Sequence, residues 1–276
     1  MLLFLFCNSR NLVSVLRVLA CRRSIAFEVE LGAVAGFSED TLSSPFIIKA
    51  AAETKDWRKT PRMIMMLADY GGSCKKTAPF RQTGKSQQPV VNGEGKEETD
   101  TFIAKLMPAS NIMDLSSIVG GTTFTNSIWT FGYGPELSAA APTAHGAGML
   151  RVVCHGSLQL IMTPMLNLLN ATSAEGMDDL ASKLLKMNAA GLKKLADNSV
   201  QLYFVTASFD DIVWVPPGWF LCEAATANDP LIYGVRKSIF PKMSTGRMKA
   251  QFMALIEVME RDSRDTSRMR SIAELM

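Results

Sequence analysis

The chain reads as a mostly β protein with helices, in the α+β class. Three observations predict it. Short β-branched and aromatic runs recur between residues 101 and 240, bounded by Gly, Pro or Asp. The period turns helical over residues 172–199 and again over 246–276. The run Asp210-Asp211-Ile212-Val213-Trp214-Val215-Pro216-Pro217-Gly218-Trp219 has the form of a strand that enters a core and stops at a rim. Its two prolines offer no donors to a continuing ladder.

Composition bounds the rest. A chain of 276 residues that is 47% hydrophobic has enough apolar material for one substantial core or two small ones. The net charge of +3 is a weak basic bias without a clustered patch, so nucleic acid is not indicated. Cys7, Cys21, Cys74, Cys154 and Cys222 form neither a C-x-x-C pair nor a zinc spacing. They read as free thiols in a reducing compartment, hence an intracellular chain. The only histidines are His145 and His155, which limits every metal or general-base reading. The 17 methionines lie scattered in apolar runs and read as core filler.

Taken in order, residues 1–74 form an N-terminal region. Residues 1–23 are basic, free of acid and interrupted by Arg10 and Arg17. They fit an organelle-type presequence, a surface-seeking amphipathic helix or a terminus packed on the domain, but no transmembrane span. Residues 25–34 alternate as a strand does, and residues 45–52 are a short apolar segment. Residues 61–70 open on Pro61 and close before Gly71-Gly72, as a short helix does. Residues 75–100 are polar and Gly/Pro-rich, which predicts a linker or exposed loop.

The β domain is expected over 101–245. Residues 102–107 and 122–131 read as strands, and 139–148 as a small-residue loop. Residues 149–155 and 158–162 flank Gly156-Ser157 and read as a hairpin. Thr172-Ser173-Ala174-Glu175 has capping-box spacing and predicts a helix start. Residues 200–207 and 230–235 read as further strands. Residues 246–276 form the C-terminal amphipathic helix, with Met248, Phe252, Leu255, Ile256 and Met259 on one face.

The sequence I-V-W-V-P-P-G-W after an acidic turn resembles the late signature of the jumonji C type oxygenases. Residues 129–134 resemble the strand before that family's first metal motif. Residues 152–164 (V-V-C-H-G-S-L-Q-L-I-M-T-P) are similar to its strand, glycine turn, strand and proline. The resemblance covers residues 101–240, and only the last motif is specific. It implies a cupin-like double-stranded β-helix with a helical insertion. It also implies Fe(II) held by His-x-Asp/Glu and a distant His, with 2-oxoglutarate as cosubstrate.

The chain departs from that pattern. The distant histidine position is Leu221, and His145-Gly146-Ala147 has a histidine without the carboxylate. The resemblance therefore implies a catalytically degenerate domain for binding or scaffolding, with no cofactor. Its pocket-rim candidates are Trp219, Phe220, Leu221, Arg151 and Arg236, and its partner is a protein or small molecule. The alternative is an active Fe(II)/2-oxoglutarate hydroxylase or demethylase with rearranged ligands. His145 and Glu223 would then hold the metal, and Arg151 or Arg236 the cosubstrate carboxylate. A third reading has no barrel and docks a partner through the C-terminal helix. No G-x-S-x-G, P-loop or strand-linked G-x-G-x-x-G is present. Asp210-Asp211 reads as a polar turn before a buried strand.

Overall fold

The computed structural model describes residues 6–7, 42–49, 52–60, 63–65, 67–68, 91, 94–107, 111–115, 118, 126–131, 137–140, 146–176, 179–180, 183, 190–191, 194–195, 203–225, 232–242 and 246–276, some by backbone alone. Expected features at residues 25–34 and His145 lie outside them.

The described strands are β1 (Phe6–Cys7), β2 (Phe46–Ile48), β3 (Ser127–Phe131), β4 (Leu137–Ala140), β5 (Gly148–His155), β6 (Leu158–Pro164), β7 (Tyr203–Ala207), β8 (Ile212–Val215), β9 (Trp219–Ala225) and β10 (Ile232–Ile239). The helices are α1 (Ala52–Arg58), α2 (Glu94–Leu106), α3 (Met165–Thr172), α4 (Gly246–Arg261) and α5 (Ser267–Leu275). The fold is α+β. Two five-stranded sheets run β1-β4-β9-β6-β7 and β2-β8-β5-β10-β3. Every strand pair is antiparallel. From β3 onward each strand changes sheet, except that β6 and β7 stay neighbours.

Period-two alternation divides the side chains between an inner and an outer face. Met149 and Val153 of β5, Val213 and Val215 of β8, Leu158, Leu160 and Met162 of β6, and Trp219 and Leu221 of β9 share one apolar cluster between the sheets. Leu150, Val152 and Cys154 of β5, with Ile212 and Trp214 of β8, face the other way. There they meet Leu42, Trp57, Met63, Phe102 and Leu106. A third cluster gathers α3, α4 and α5 around Phe220 and Phe240.

Several expectations are corrected. β5 and β6 flank Gly156 but are not a hairpin: β5 pairs with β8 and β10, and β6 with β7 and β9. β5 is buried on both faces, so it needs a facing sheet as well as an outer coat, which a two-stranded hairpin does not supply. Residues 102–107 are not a strand. Phe102, Ile103, Leu106 and Met107 lie on one side of α2, and that helix begins at Glu94, inside the expected linker. Residues 139 and 140, expected in the small-residue loop 139–148, belong instead to β4, which pairs with β9. Thr172 ends a helix rather than starting one: its hydroxyl donates to the Leu168 carbonyl at 2.8 Å, and Ser173 turns left-handed at φ 50°. The C-terminal helix is two helices, divided at residues 262–266.

Residues 63–65 and 67–68 are helical, as Pro61 leads one to expect. The outer cluster draws on residues 42–107 and on β5, β8 and β10 alike, so that N-terminal stretch is part of the same core. Among the described residues no helix is long and apolar enough to cross a membrane.

Candidate functional site

The stretch 210–219 links two differently built places. At its start, Asp210 and Asp211 are buried, at 3% and 2% exposure. Arg58 donates to both carboxylate oxygens of Asp210, at 3.0 and 3.3 Å. Its guanidinium also lies 4.0 Å over the Phe209 ring. Lys49 donates to Asp211 at 2.9 Å and to the Thr206 carbonyl at 2.6 Å. Asp211 also accepts from the Ser208 N–H three residues earlier, at 2.7 Å, which closes the turn. Asp210 is left-handed at φ 69°, and the backbones of Asp210 and Asp211 bond Val153 in both directions. These carboxylates fasten residues 49–58 to the sheets. Both are committed to ion pairs in a turn, as a structural role demands.

At its end, the expected rim residues are buried. Trp219 is 2% exposed; its indole N–H donates to Gln251 Oε1 at 2.9 Å, and its ring meets the Tyr203 ring edge-on at 5.2 Å. Leu221 lies in the inner cluster with it, cross-strand from Ala140 on β4 and Met162 on β6. Phe220 points to the opposite face and packs among the C-terminal helices. The correction has a plain cause: α4 rests on the Pro216-Pro217-Gly218 turn. A Cβ at Gly218 would stand 3.1 Å from the Gln251 backbone. Trp214 is a core residue, and its indole N–H donates to the Leu42 carbonyl at 2.9 Å.

The structure brings together two of the predicted residues. Arg151 on β5 and Arg236 on β10 are direct cross-strand partners. Arg151 shares parity with Met149 and Val153, so it belongs to the inner face, and it is 3% exposed rather than at an open rim. Its Nε donates to the Met149 sulfur. Arg236 is half-buried, and its Nε donates to Ser127 Oγ at 3.0 Å. The register thus sets two cationic side chains next to each other on one face of the sheet.

His145 and the side chain of Glu223 lie outside the described residues. The backbone of Glu223 pairs with Ser138 and Leu160, two positions along β9 from Leu221. His155 is exposed and stacks on Tyr233 at 5.2 Å. Leu221 has no lone pair to offer, and two arginines stand on the facing sheet. Among the described residues no three His, Cys, Asp or Glu form a group able to hold an ion. Cys154 is no nucleophile: burial pushes its thiol up to about 12.

Sequence reasoning missed Lys49, Arg58 and Gln251. The first two are ordinary surface residues by type. Gln251 carried one signal, a polar side chain beside Phe252 on the apolar side of the last long helix. No protein-family model matches this chain, and no curated protein matches it.

Proposed function

We propose that this chain is a catalytically degenerate jumonji C/cupin-like domain that acts in binding or scaffolding. The observation that carries the reading is Leu221. An aliphatic side chain, buried between two sheets, occupies the position where the resemblance calls for the distant metal-binding histidine. The strand order supports the fold half of the proposal: β3 to β10 alternate between two antiparallel sheets, with one same-sheet step, as in the double-sheet jelly rolls to which cupins belong. Burial of the Trp219-Phe220-Leu221 segment removes it as an apolar contact rim.

A second reading keeps the chemistry, as an Fe(II)/2-oxoglutarate hydroxylase or demethylase with rearranged ligands. It would have Arg151 or Arg236 hold the cosubstrate carboxylate, and the two stand in direct register on neighbouring strands. Metal analysis of the purified full-length chain after anaerobic incubation with Fe(II) separates the two. Binding or scaffolding predicts iron at background. Iron near one per chain, lost in His145→Ala, would establish the second reading and sink the first.

A further inference from the structure

We draw no further inference here: the strongest candidate, the directly paired Arg151 and Arg236 on the inner face of the β2-β8-β5-β10-β3 sheet, belongs to the site already described, and nothing among the described residues points to a ligand there.

Discussion

The N-terminal and C-terminal coats are attached to the sheets in different ways. Residues 42–58 add charge to the β2–β8 ladder: Lys49 and Arg58 reach the buried carboxylates of Asp211 and Asp210, and Trp57 and Phe46 join the outer cluster. Helix α4 holds on by close approach to backbone. Gly146 lies against Phe252 and Leu255, where a Cβ would stand at 2.7 and 2.9 Å, and Gly218 lies against Gln251. The comparison teaches that the acidic turn and the P-P-G turn, eight residues apart, are both attachment points. One rests on paired charge; the other rests on close approach to glycine backbone.

The harshest test removes a coat. A chain of residues 101–276 loses Leu42, Phe46, Ile48, Trp57, Met63, Leu67 and Val91 from the outer cluster. Burying one large apolar side chain is worth about 1.5–3 kcal/mol, against a whole-domain stability of about 5–15 kcal/mol. We expect no cooperative unfolding transition by circular dichroism, whereas the full chain melts sharply. A sharp melt of the fragment would mean that the N-terminal coat is dispensable.

The charge attachment comes next. Asp210→Asn keeps a residue that tolerates φ 69° but leaves Arg58 without its counter-charge. Because Arg58 is a quarter exposed, the expected loss is about 2–3 kcal/mol in urea unfolding, below the range for a fully buried pair. Lys49→Met leaves the buried Asp211 carboxylate with the Ser208 N–H and should cost about 1–2 kcal/mol. A loss in both variants no larger than about 0.5 kcal/mol, that of an ordinary surface substitution, would show that charge does not hold this attachment.

At the other attachment, Gly218→Ala places a Cβ on a residue at φ 74° and against the Gln251 backbone. A loss of about 1–2 kcal/mol is expected. The variant should also expose Trp219, seen as a red shift of its fluorescence. Unchanged stability and emission would show that α4 does not press on this turn.

The smallest effect at neutral pH belongs to Cys154. In a variant with the other four cysteines changed to serine, Cys154 should react with a thiol reagent at pH 8 only as fast as the chain opens. Burial raises its pKa from 9.0 to about 12, so the unfolded chain loses this proton first as pH rises. The contribution is complete below pH 9.0 and is lost between there and about 12. Rapid labelling of the native chain would contradict the burial.

Much of the strand content was legible because alternation and turn residues act locally. The run from Ile212 to Val215 is buried on both faces and reads as unbroken apolar sequence. The strand expected at 102–107 is a helix because a short apolar run fits either period, and the break between α4 and α5 falls at residues 262–266, which hold no Gly or Pro to mark it. β4 escaped notice because its small residues owe their strand to β9. The candidate site was legible only as residue types: Arg151 and Arg236 stand 85 positions apart, and nothing local puts them side by side.

By itself the sequence determined which segments alternate, where Pro216 and Pro217 end a strand, and that position 221 carries a side chain unable to bind a metal. Only the tertiary structure decided which sheet each strand joins, that the acidic turn is neutralised by Lys49 and Arg58, and that Trp219 is sealed beneath α4. The reason is physical. Periodicity and turn chemistry act within a few residues, whereas sheet membership, ion pairing and burial are set by surfaces that meet only once the chain has closed on itself.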